Sequence, residues 1–195
     1  MKNKLLVLIF IIPFISSCAM FKTDTTDGVR VDILTNTTIT LPSPENLHIN
    51  KNLSQIVSAT YTIKGKESHF TTHVIATANN KHIIIIALSG WGGTLFKLDY
   101  NGSNITSSSL PMPNKNMGIK QSLIEFILSN ASSKTLINMF EDTNLHIKFE
   151  KDKRILKDEN NTKVIEIDYS KDKNLNQVAM IHNYYYNYTV KVTDL

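Results

Sequence analysis

The chain has 195 residues, of which 42% are hydrophobic, with 21 lysines and arginines against 17 aspartates and glutamates and a single cysteine. One cysteine rules out an internal disulfide framework, and no basic stripe interleaved with aromatics is present, so nucleic acid is not an expected partner. The length suits one domain and a tether.

The first seventeen residues, MKNKLLVLIFIIPFISS, place Lys2 and Lys4 ahead of an apolar run from Leu5 to Phe14 and then small residues. This is the pattern of a secretory signal peptide, too short to span a bilayer as a mature helix. Ile15-Ser16-Ser17-Cys18 resembles the bacterial lipobox, whose cysteine accepts lipid. Residues 1–17 are therefore expected to be cleaved, and Cys18 to become the lipid-bearing first residue of the mature chain. Several acyl chains at about 0.8 kcal/mol per buried methylene would hold such a protein on a membrane essentially permanently. Ala19 follows the cysteine where an aspartate would signal retention in the inner membrane, so the enteric sorting rule implies the outer membrane. Losing Lys2 and Lys4 lowers the basic residues to 19, nearly balanced by the 17 acids.

Residues 18–54 are rich in Thr, Asn and Asp and are interrupted by Pro42-Ser-Pro44. They predict a tether of roughly 30 Å with a few docked residues such as Val29, Val31 and Ile33. The domain is expected over residues 55–195, and strand follows strand. Gln55–Ile63 sets Val57, Ala59, Tyr61 and Ile63 on one face, and Glu67–Thr77 alternates Phe70, Thr72, Val74 and Ala76 against His69, Thr71, His73 and Ile75. Lys81–Ser89 is apolar on both faces, which predicts cover on both sides. Thr94–Tyr100 follows, and Asn101-Gly102 supplies a turn that tolerates positive φ.

The period then changes. Ile119–Leu128 repeats apolar residues at helical spacing, and Lys134–Phe140 reads as a second short helix. Strands resume at Leu145–Phe149, Arg154–Lys157, Lys163–Tyr169, Asn174–His182 and Tyr184–Thr193, while Lys148–Arg154 alternates in sign like a solvated hairpin. The expected fold is α+β, a strongly curved antiparallel sheet of about nine or ten strands forming a half-barrel, with two inserted helices as a lid.

Catalytic and metal motifs do not emerge. His69 and His73 on one strand would stand roughly 13 Å apart, too far to share an ion, and the other histidines are scattered. Leu88-Ser-Gly-Trp-Gly92 lacks the flanking glycines of a nucleophile elbow, so an enzyme is not expected, nor is a cofactor. The turn Ser89-Gly-Trp-Gly-Gly93 is more informative. It sets the chain's single tryptophan, Trp91, between Gly90 and Gly92, where a tight hairpin would make it protrude. An exposed Trp is favoured at a lipid–water interface. A Trp folded back on the sheet edge satisfies the local sequence equally well.

The run from Lys81 to Leu98, an apolar strand leading through a glycine turn into Thr-Leu-Phe-Lys-Leu, resembles the corresponding segment of the LolA/LolB lipoprotein-carrier superfamily. With the lipobox, residues 53–195 including Ser122–Leu128, Val164–Tyr169 and the Tyr-rich last strand are similar to small bacterial outer-membrane lipoproteins with a domain of unknown function, often encoded near aryl-polyene synthesis genes. The resemblance implies a half-barrel around an apolar cavity for acyl chains and a membrane-inserting role at Trp91, although Gly90 stands where LolB has a proline and Trp91 where it has a leucine. Candidate cavity residues are Ile83, Ile85, Phe96, Leu98, Phe126, Ile127, Tyr186 and Tyr188, each also explicable as ordinary core. The expectation is a monomeric outer-membrane lipoprotein that shelters acyl or polyene chains, or lipidated cargo, and helps place them in the membrane. The alternative is an envelope assembly lipoprotein with a filled core that binds a protein partner.

Overall fold

A computed structural model describes residues 28–109 and 118–195. Its chain order begins with a hairpin, β1 (Val29–Leu34) and β2 (Thr37–Leu41), and one helical turn, α1 (Pro44–Leu47). Five strands follow: β3 (Lys51–Ile63), β4 (Lys66–Ala78), β5 (Ile83–Leu88), β6 (Thr94–Tyr100) and β7 (Ile105–Ser109). Two helices, α2 (Ile119–Asn130) and α3 (Ser133–Phe140), precede β8 (His146–Glu150), β9 (Lys153–Lys157), β10 (Lys163–Lys171), β11 (Gln177–Asn183) and β12 (Tyr188–Asp194). The class is α+β.

Two antiparallel meanders meet where β3 pairs with β12, giving a ten-stranded sheet in the order β7-β6-β5-β4-β3-β12-β11-β10-β9-β8. Its outer strands β7 and β8 do not pair with each other, so the sheet is not a closed barrel. Opposed residues share a face, and register carries one apolar face across the sheet. Leu98 opposes Ile85, which opposes Ala76 and so Leu53. On the other side Tyr61 opposes Tyr188, and Val190 opposes Ile181, which opposes Ile167.

The stretch expected as a tether is, from Val29 on, part of the domain. Val31, Ile33, Ile39, Leu41, Leu47 and Ile49 are buried in the same core as the sheet, α2 and α3. Strand alternation of small polar and apolar residues hid this hairpin in a Thr-rich segment. β1 contacts α2 and β2 contacts α3, and the buried Tyr100 hydroxyl donates to the carbonyls of Leu41 and Pro42, 3.0 Å each, tying the hairpin's end to β6.

Three other expectations need correction. Tyr184 and Tyr186 do not belong to the last strand: residues 184–187 form the β11–β12 turn, closed by Asn187 at φ 53°. Ser/Thr-rich β7 carries no hydrophobic period, so nothing in its sequence marked it as a strand. Finally, β5 is fully buried only through Ile83, Ile85 and Ala87. Ile84, Ile86 and Leu88 stay half-buried on the outer face, where Ile75 beside Ile86 is 40% exposed.

Helix α2 is held over the sheet by its C-terminal carbonyls, which lack partners within the helix. Arg154 Nη1 donates to the carbonyls of Leu128 (2.5 Å) and Ala131 (2.9 Å), and the Tyr169 hydroxyl donates to that of Ser129 (2.9 Å). The guanidinium lies between two rings, 6.0 Å from the centre of Phe149 and 5.5 Å from that of Tyr169. At the opposite side Lys51 Nζ donates to Asn130 Oδ1 at 2.9 Å. Of the sign-alternating patch Lys148–Arg154, one residue thus turns inward as a brace. Charge-assisted bonds to two carbonyls, together with the ring contacts, predict that Arg154→Ala lowers unfolding free energy by about 2–3 kcal/mol. Urea denaturation would show it, and Arg154→Lys should recover only part because it lacks the planar fork.

Candidate functional site

Between α2 and the sheet lies a cavity of about 360 Å³, within the range of small-molecule sites. Its floor comes from β3, β4, β11 and β12, and small side chains make the room: Ala59, Thr72, Ala76 and Ala179 all line it. Larger apolar groups, Phe70, Phe96, Leu95, Val57 and Val190, complete the wall.

The roof is α2, and it presents an inverted pattern. Leu123, Ile124, Ile127 and Leu128 are fully buried in the core on one side of the helix. Gln121, Glu125 and Ser129, spaced at i, i+4 and i+8, line the cavity. A polar stripe that ordinarily faces water faces the interior here. Glu125 and Gln121 are both buried.

The stripe is partly satisfied. Asn183 Nδ2 donates to the Tyr188 hydroxyl at 3.1 Å, the Tyr188 hydroxyl donates to Glu125 Oε1, and Gln121 Nε2 approaches the same oxygen at 3.5 Å. Thr72 Oγ1 donates to the Leu88 carbonyl at 2.5 Å. Both of these bonds reach Glu125 through Oε1, and Ser129 Oγ is buried without a partner among the described residues. The charged lining groups, Lys51 and Asp194, sit at the end away from Tyr188, where Gln55 Nε2 donates to Asp194 Oδ1 at 2.7 Å. Asp194 lies six residues along β12 from Tyr188, roughly 20 Å away.

The eight residues proposed from sequence divide. Ile85, Phe96, Phe126 and Tyr188 line the cavity. Ile83, Leu98 and Ile127 are fully buried in the core away from it, and Tyr186 is half-buried in the β11–β12 turn. The polar residues Gln121, Glu125 and Ser129 went unrecognised because such a stripe on an amphipathic helix ordinarily marks the solvent face. Only the apolar residues flanking it on both sides hinted otherwise.

Trp91 stands at the β5–β6 hairpin tip with 84% of its surface exposed. Ser89 N donates to the Gly93 carbonyl at 2.7 Å and Gly92 N to that of Ser89 at 2.9 Å. Gly92 adopts φ +85°, which favours glycine, whereas a Cβ on Gly93 would meet only the exposed Trp91 indole, 2.8 Å from Nε1, which can move aside. Gly90 has open space around it. Cys18 lies outside the described residues. His69 and His73 make separate contacts, His69 to Thr60 and Glu67 and His73 to Ser54.

Burial pushes the Glu125 carboxyl up to about 7 against the smaller opposing pull of its bonds with Tyr188, Gln121 and Asn183. Burial likewise holds the Tyr188 hydroxyl above its ordinary range, with the Glu125 charge adding to it. Because folding raises the carboxyl from 4.5, its contribution to stability is full below pH 4.5 and is lost as pH rises through about 7. The swing is about 3 kcal/mol. The difference in unfolding free energy between wild type and Glu125→Gln, followed by urea denaturation from pH 5 to 8, should shift toward the variant by an amount of that order as pH rises.

A family model described as "Protein of unknown function (DUF3261)" matches residues 53–195. That span takes in both helices, nearly all of the ten-stranded sheet, the cavity and the Trp91 hairpin, and leaves the β1–β2 hairpin and α1 before it. No curated protein matches the chain. With nearly three quarters of its length matched, the chain belongs to the DUF3261 family of proteins of unknown function.

Proposed function

We propose that this protein is a lipid-anchored envelope protein that takes an acyl or similar apolar chain into the cavity beneath α2 and helps place lipid or lipidated cargo in the outer membrane. The observation that carries this reading is the cavity of about 360 Å³ between a helix and an apolar sheet face. A ten-stranded sheet under two helices and a hairpin also suits the half-barrel of the LolA/LolB carriers. Anchoring is assigned to Cys18 through its lipobox, because no helix among the described residues is long and apolar enough to cross a membrane. Membrane contact is assigned to Trp91, whose exposed indole on a glycine hairpin is the kind of group that settles at a lipid–water interface. Space beneath α2 favours this reading over an assembly lipoprotein with a filled core.

Two measurements test it on the chain from Ala19 onward, which holds every core residue. Trp91 is the only tryptophan, so its emission should be red in buffer, shift blue with liposomes, and be quenched by brominated acyl chains. Emission indifferent to lipid would remove the membrane role. Ala179→Leu should fill part of the cavity and abolish uptake of an apolar fluorescent reporter while the cooperative unfolding transition persists. Unchanged uptake would remove the cavity from the function.

A further inference from the structure

The apolar cavity contains two buried polar groups of α2. Glu125 is more than nine-tenths buried and engages Tyr188 and Gln121 through Oε1. One helical turn on, Ser129 Oγ is buried and without a partner, and both residues line the same cavity. An unpartnered buried polar atom costs the folded state about 1–3 kcal/mol, so Ser129 Oγ, one turn from a buried carboxyl in the same cavity, calls for an occupant that satisfies it.

We propose that the cavity binds an uncharged amphiphile, an apolar chain bearing an ester, amide or hydroxyl oxygen, and that this oxygen is hydrogen-bonded by the unpartnered Ser129 hydroxyl and the neighbouring Glu125 carboxyl on α2. The inference rests on the cavity's being a chain-binding site and specifies the ligand's polar part. The surroundings decide against charge. Around Glu125 stand Gln121 on α2, Asn183 on β11 and Tyr188 on β12, all neutral donors or acceptors. Of the other charged lining residues, Lys51 is already bonded to Asn130 beside Ser129, and Asp194 accepts from Gln55. Burial pushes the Glu125 carboxyl up to about 7, so below that pH it carries a proton and offers an O–H to a ligand oxygen. A ligand carboxylate beside it would set two acids in one dry site, where both cannot ionise. A neutral ester or hydroxyl meets no such penalty.

The test is displacement of N-phenyl-1-naphthylamine, a neutral fluorescent reporter, from the chain beginning at Ala19 at pH 6, below the Glu125 value of about 7. Monopalmitoylglycerol and palmitate are the competitors, both kept below micelle-forming concentrations. Monopalmitoylglycerol is expected to bind roughly tenfold or more tightly than palmitate. Glu125→Leu and Ser129→Ala should each weaken monopalmitoylglycerol binding several-fold more than they change the separately measured affinity of the reporter, and Glu125→Gln, which keeps a neutral donor, should retain most of it. Palmitate binding as tightly as monopalmitoylglycerol, or Glu125→Leu leaving its affinity intact, would overturn the proposal while chain binding itself stands. If neither reporter nor competitor binds a chain that unfolds cooperatively, the cavity reading fails and this inference fails with it.

Discussion

The end of α2 is the point on which the site depends. A helix leaves its last carbonyls without partners, and here Leu128, Ser129 and Ala131 end over a sheet where little water could serve them. Arg154 and Tyr169, from β9 and β10, supply the donors, while Lys51 on β3 reaches Asn130. Strands from both halves of the sheet thereby grip one helix end. Leu123, Ile124, Ile127 and Leu128 fix its rotation by filling the core beside β1 and β6. With end and rotation both set, the remaining face bearing Gln121, Glu125 and Ser129 is held above β3 and β12 and does not collapse onto them.

What lies beneath explains why the gap persists. Close packing is the rule in protein interiors, and an apolar void forfeits contacts on every side. Across β3, β4 and β11 the lining positions include Ala59, Thr72, Ala76 and Ala179, where leucine or isoleucine would fill the space. Elsewhere on the same face the sheet carries Ile167 and Leu98, so small residues are not a general property of this sheet. Their concentration under the polar stripe of α2 gives the cavity its apolar floor and hydrogen-bonding roof.

Much of this was legible in the sequence, and the failures have physical causes. Alternation located β4 and β6 almost to the residue, and helical spacing located α2, because one-sided burial writes its period directly into the chain. The β1–β2 hairpin was obscured since its inward residues are spaced by Thr, Asp and Asn, a composition shared with loose linkers. Tyr184, Tyr185 and Tyr186 extended the apparent last strand because aromatic residues favour strands, whereas the chain turns there through Asn187. The four continuous isoleucines of β5 suggested cover on both faces, yet the outer one relies on neighbours within the sheet. Glu125 was the deepest failure. No local rule tells a polar stripe facing a cavity from one facing water, since the difference resides in Tyr188 and Asn183, distant in sequence.

Register places the parts of the site in a definite order. Tyr61 opposes Tyr188, Ala59 opposes Phe70, and His73 opposes Leu88, the last residue before the Ser89–Gly93 turn. From that row the Trp91 hairpin continues away from Lys51, toward the end of the sheet that holds Tyr61 and Tyr188. Leu95 and Phe96, which line the cavity, follow Trp91 by four and five residues on β6, roughly 13–17 Å of strand. On the proposed reading, a chain passing between bilayer and cavity at this end moves from the lipid around Trp91 to an apolar wall. Its polar oxygen then meets hydrogen-bonding groups that are buried but uncharged. Neutrality matters for such a passage, because a fixed charge at that end would hold its own water and raise the cost of drawing an apolar chain past it.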